Sequence, residues 1–86
     1  MNGREFIRNV KKLGKRNGVH VRFDPERGKG SHGQLHYGDR RTTVKNRRKE
    51  IRPGLLAEML RQLGISREQW MQKDRANDIV HAVRWA

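Results

Sequence analysis

The 86-residue sequence has no cysteine, only two prolines and only nine acidic residues. Without cysteine there is no disulfide framework and no thiolate metal site. No apolar run reaches spanning length, and neither a signal-peptide core nor an N-terminal myristoylation motif is present, so a membrane role is disfavoured. With no export signal, the cytoplasm is the expected compartment. Aromatic residues are scarce, with two Trp, two Phe and one Tyr, and hydrophobic residues make up 33% of the chain. A core that thin is worth roughly 3 to 5 kcal/mol in a chain of this size. The histidines, His20, His32, His36 and His81, form no HxxxH or HxxEH pair. A zinc site therefore has little support, and no metal or cofactor is expected.

What is abundant is positive charge. Lysine and arginine number 21, for a formal net charge of +12. A surface that repels itself so strongly is tolerated when an anionic partner neutralises it. With the membrane disfavoured, nucleic acid is the favoured partner, and RNA the favoured nucleic acid. The length allows one domain, 1–86, and shows no internal repeat, low-complexity tract or linker.

Asn2 and Glu5 have the spacing of a capping box, and Phe6, Ile7, Val10 and Leu13 share one helical face. The pattern predicts a helix from Gly3 to Leu13, closed by Gly14 as a left-handed cap. After the turn at Asn17 and Gly18, Val19, Val21 and Phe23 alternate with His20 and Arg22, predicting a half-buried strand. Pro25, Gly28 and Gly30 mark a loop. Ser31 to Tyr37 resumes the period of two, with His32, Gln34 and His36 on a wholly polar face. Gly38 and Asp39 predict a tight hairpin turn, and Arg40 to Val44 the returning strand. Lys45 to Lys49 is a basic run whose simplest interpretation is a solvated loop.

Pro53 opens a second helix in which Leu55, Leu56, Met59, Leu60 and Leu63 form an apolar stripe ending at Gly64. Ser66 and Gln69 form another capping box, which predicts a short helix through Trp70 and Met71. Lys73 to Asp78 has the composition of a loop, and Ile79 to Ala86 fits a helix or a strand equally. The expected fold class is α+β, with two helices covering one face of a three-stranded antiparallel sheet and the polar face left open.

Among the histidines, His32 stands in a Gly-Ser-His setting beside Lys29 and a glycine-rich loop. RNA carries its own nucleophile, the 2′-hydroxyl, so cleavage requires a proton acceptor, a proton donor and charge stabilisation. Histidine titrates near neutral pH, and lysine or arginine can hold the phosphate. One histidine does not easily serve as both base and acid. From the residues alone, an exposed strand histidine in a basic protein is more often a binding residue than a catalyst, and binding outranks catalysis.

Four segments carry a resemblance to a known family. They are Gly-Lys-Gly-Ser-His at 28–32, Arg-Arg-Thr-Thr-Val at 40–44, Glu-Ile-Arg-Pro-Gly-Leu-Leu at 50–56 and Leu-Arg-Gln-Leu-Gly-Ile-Ser at 60–66. In this order the chain resembles the HicA toxins from Asn2 to about Met71. The resemblance implies a fold like the double-stranded-RNA-binding domain, αβββα, with 1–71 as toxin core and 72–86 as a C-terminal extension. It also implies metal-independent cleavage of mRNA, silenced by a HicB-type antitoxin.

On that basis His32 is the catalytic residue. The RNA-contact residues are Lys29, Gly30 and Ser31 in the motif, His36, Arg40 and Arg41 on the strand pair, and Lys45, Arg47 and Arg48 in the basic run. Many family members place a second histidine or another polar residue after this histidine. Here that position is Gly33, which leaves His36 as the second candidate for proton transfer. The competing possibilities are a non-catalytic RNA-binding domain of the same fold and, ranked last, a DNA-binding regulator, since no helix pairing suits a helix-turn-helix.

Overall fold

The computed structural model describes residues 1–28, 30 and 32–72. Lys29, Ser31 and the 73–86 segment, with its expected loop, terminal element and His81, lie outside the described residues. The order of elements is α1 (Gly3–Asn17), β1 (Val21–Pro25), β2 (Gly33–Tyr37), β3 (Arg40–Val44) and α2 (Pro53–Leu63). This is the expected αβββα arrangement. The strands form one antiparallel sheet in the order β1-β2-β3.

Helix α1 starts as its capping box dictates. Asn2 Oδ1 accepts from the Glu5 N–H at 2.9 Å, and Glu5 Oε1 accepts from the Asn2 N–H at 3.1 Å. Its apolar stripe is buried, with Phe6 and Val10 fully covered. The helix runs one turn past the expected end. Gly14 is a buried helical residue, and a Cβ there would lie 2.8 Å from the Val19 carbonyl oxygen and inside the Val21 side chain. It is glycine because β1 crosses tightly at that point. The left-handed cap is Gly18, at φ 67°, a conformation that side-chain-bearing residues rarely adopt.

The sheet register pairs Phe23 with Leu35 and Leu35 with Thr42 on the helix-facing side. Both hairpin strands start later than the alternation suggests. β1 begins at Val21 and β2 at Gly33. Gly38 and Asp39 form the expected two-residue turn, with Gly38 at φ 63°. Thr42 is buried, and its hydroxyl donates to Gln62 Oε1 at 2.6 Å, which ties β3 to α2.

Helix α2 has Pro53 in its first turn and Gly64 as a left-handed cap, as expected. Met59, Leu60 and Leu63 are buried. Leu55 departs from the expected stripe and is 49% exposed. The second capping box also forms. Ser66 N–H donates to Gln69 Oε1 at 3.0 Å, and Gln69 N–H to Ser66 Oγ at 3.1 Å. The helical stretch at 67–72 brings Trp70 into the core, its ring centroid 5.5 Å from that of Phe6.

The N-terminus closes the fold from the other side. Ile51 N–H donates to the Met1 carbonyl at 2.8 Å, and the Met1 ammonium pairs with the Glu50 carboxylate. The basic run is thereby fastened to the start of α1.

Candidate nucleic-acid interface

His32 lies just ahead of β2, half-buried. Its carbonyl accepts from the Glu26 N–H at 2.9 Å, which fixes the backbone at the end of the hairpin. One step of register beyond Gly33 and Val44 sets His32 across from Lys45. Before it, Gly30 takes φ 59° with open space where a Cβ would be, so backbone conformation and not crowding selects glycine there.

Two hollows flank this point. The first, of about 470 Å³, is lined by His32 and by the apolar side chains Val44, Ile51, Leu55 and Met59. Lys45, Lys49, Glu50 and Arg52 stand around it. The second, of about 450 Å³, is formed by Arg4, Gly30, Asn46, Arg47 and Arg48. Asn46 lines both.

The segment that separates the hollows is built, not loose. Arg4 N–H donates to the Arg47 carbonyl at 2.9 Å. Asn46 Oδ1 accepts from the Arg48 N–H at 2.9 Å, and its carbonyl accepts from the Lys49 N–H at 3.2 Å. The Arg47 guanidinium carbon stands 5.1 Å from the Phe23 ring centroid, an attraction between cation and aromatic face. Gly3 permits this approach, since a Cβ there would lie 2.7 Å from Arg47 Cα. The basic run is exposed at Lys45, Asn46, Arg48 and Lys49, as a solvated loop would be, and its backbone forms an anchored turn whose Arg47 and Arg48 share one concavity with Arg4 of α1.

The sheet face turned away from the helices carries Arg22, Asp24, Gln34, His36, Arg41 and Thr43, as the register requires. Asp24 is the single carboxylate of this group. His36 Nε2 lies 3.2 Å from Asp24 Oδ2, and an Arg22 guanidinium nitrogen 3.3 Å from the same oxygen. Gln34 Nε2 donates to Thr43 Oγ1 at 3.0 Å. His36 is therefore held in a cross-strand cluster, four residues up the strand from His32.

Gly30, Lys45, Arg47 and Arg48 gather around the two hollows, and Arg41 lies on the open face beside His36. Arg40 is not brought to them. It falls on the helix-facing side at the hairpin end, where its side chain approaches Gly64. Sequence reasoning missed Arg4, Arg52 and Leu55. Arg4 belongs to the site through a contact with a residue more than forty positions away, a tie that no local pattern reveals. The small Gly3 beside the helix cap was the only trace of it.

Among the described residues no group of three or more His, Cys, Asp or Glu is placed to hold a metal ion, and no helix is long and apolar enough to cross a membrane. No curated protein and no solved structure matches the chain. The family described as HicA toxin of bacterial toxin-antitoxin matches residues 3–65, from the first residue of α1 to Ile65, just past the Gly64 cap of α2. That span includes every residue that lines either hollow, and it covers more than half of the chain. The chain belongs to the HicA toxin family of bacterial toxin-antitoxin systems.

Proposed function

We propose that the protein is an mRNA-cleaving endoribonuclease, with His32 in acid/base catalysis and the arginine hollow holding the RNA backbone. The observation that carries this reading is the position of His32 at the edge of a concavity, across the strands from Lys45 and next to the cleft of Arg4, Arg47 and Arg48. The histidine takes the proton of the 2′-hydroxyl as the 2′-oxygen attacks the adjacent phosphorus. The cations at the rim, Lys45 and Lys49, offset the charge that builds on the phosphoryl oxygens. The bond to the 5′-oxygen breaks, and that oxygen takes a proton from water or from the Lys45 ammonium. A 2′,3′-cyclic phosphate remains on one fragment and a 5′-hydroxyl on the other. His36, engaged with Asp24, serves RNA binding on the open sheet face and not proton transfer.

An acidic, HicB-type antitoxin silences the toxin in this reading by covering the His32 hollow. A +12 surface on a thin core gains stability from a folded-state partner that neutralises it. Charge complementarity speeds the encounter.

The test is the chemistry of the products. Cleavage of single-stranded RNA by the pure chain is expected to continue in EDTA and to leave 2′,3′-cyclic phosphate or 3′-phosphate ends by mass spectrometry. Fragments with 3′-hydroxyl ends, or activity restored only by a divalent ion, contradict the internal-nucleophile mechanism. RNA left intact after long incubation with partner-free protein would favour a non-catalytic RNA-binding domain.

A further inference from the structure

Leu55 lies on the apolar stripe of α2 in sequence, yet it is 49% exposed where Met59, one turn on, is 3% exposed. Leucine in that state is unremarkable alone. Here it forms the open wall of the hollow beside His32, with Val44, Ile51 and Met59 as the remaining apolar lining. The rim is of the opposite character. Lys45, Lys49 and Arg52 supply positive charge, and Asn46 and Glu50, engaged with Arg48 N–H and the Met1 ammonium respectively, add polar groups to the edge.

We propose that this hollow takes one unstacked nucleobase of a single-stranded RNA, and that it defines where the strand is cut. The proposal rests on the reading that the chain acts on RNA, and adds the state of that RNA and a subsite for it. A nucleobase has apolar faces, hydrogen-bonding edges and an anionic tether, and the hollow offers an apolar floor, polar edges and a cationic rim. The volume of about 470 Å³ falls within the roughly 300 to 1,000 Å³ of small-molecule sites. A base paired inside a duplex cannot enter a hollow closed on its floor by Met59 and Val44. It must be splayed out, as in recognition of single-stranded loops and ends. Because Asn46 also lines the arginine hollow, a base in one and a phosphate in the other belong to one continuous strand crossing the anchored 45–49 turn.

Methyl NMR on the full chain tests this without reading cleavage. The probes are the four nucleoside 5′-monophosphates, with ribose 5-phosphate as the control lacking a base. The Ile51, Leu55 and Met59 methyl signals are expected to shift saturably with at least one nucleotide and to stay in place with ribose 5-phosphate. Leu55→Ala, at a position already half open to solvent, should weaken that nucleotide on the order of tenfold, the scale of lost apolar contact in a pocket. Its other resonances should remain at their wild-type positions.

Equal shifts with ribose 5-phosphate, or none with any nucleotide at millimolar concentration, overturn the proposal. Methyls that move only with poly-glutamate give the hollow to an acidic protein partner. Methyls that move with protein concentration alone give it to a second copy of the chain. Nucleotides that bind here while RNA stays intact would remove the catalytic reading and leave the subsite standing.

Discussion

The two faces of the sheet use the same three strands for opposite purposes. The inner face places Leu35, Thr42 and Val44 beneath α1 and α2, all of them buried. The outer face places Arg22, Gln34, His36 and Arg41 in the open, with Asp24 as its one carboxylate. Period-two alternation alone makes this division, and a slip of one residue would exchange the faces. The candidate site, however, does not follow the division cleanly. His32 and the two hollows sit at the end of the sheet, where β2 begins, β3 ends and the 45–49 turn is fastened to α1. The faces decide what is stable and what is wet. The sheet end carries the candidate site.

Substitutions separate these roles, and the largest effect belongs to the inner face. Phe6 is fully buried and packs against Trp70. Phe6→Ala should cost about 3 to 5 kcal/mol, comparable to the roughly 3 to 5 kcal/mol available to a core of this size. The expected outcome is an unfolded chain by circular dichroism. A folded variant with a small shift in Tm would show that the 67–72 stretch does not contribute to the core as described.

The arginine hollow comes next, and there the effect should appear in binding and leave the fold intact. Each neutralised phosphate contributes roughly 0.7 to the log-log salt slope on single strands. Arg4→Ala, Arg47→Ala and Arg48→Ala should each flatten the slope by about that amount. Arg4 is the sharpest case, since it is distant in sequence from the basic run. A slope unchanged by Arg4→Ala, with Arg47→Ala and Arg48→Ala effective, would limit the interface to the turn itself.

The smallest effect is expected on the outer face. His36→Ala removes one partly exposed pairing with Asp24, a kind of interaction worth about 1 kcal/mol or less. Cleavage should show a raised KM at nearly unchanged kcat. A collapse of kcat would return His36 to proton transfer.

The contrast between faces also explains what the sequence revealed and what it hid. The capping boxes at Asn2 and Ser66, the apolar stripe of α1 and the Gly38-Asp39 turn are local, and all of them formed where the pattern placed them. Gly14 was misjudged because a glycine that admits a crossing strand looks, in sequence, like a glycine that ends a helix. Leu55 was misjudged for a related reason. Periodicity assigns a residue to a face, but whether that face is covered depends on what packs there. The place of His32 beside β2 follows from the strand pattern, whereas the hollows depend on contacts between the N-terminus and the 46–51 segment that no periodicity contains. Arg40 shows the converse, a basic residue next to a motif in sequence but turned toward α2.

The most direct test of the account is His32→Ala, assayed for cleavage of single-stranded RNA with Tm and RNA affinity measured on the same preparation. The account predicts that cleavage falls at least about 100-fold, the lower range of a lost acid/base group. Tm and affinity should stay close to those of the wild type. A variant that folds, binds RNA and cuts it at the wild-type rate would contradict it.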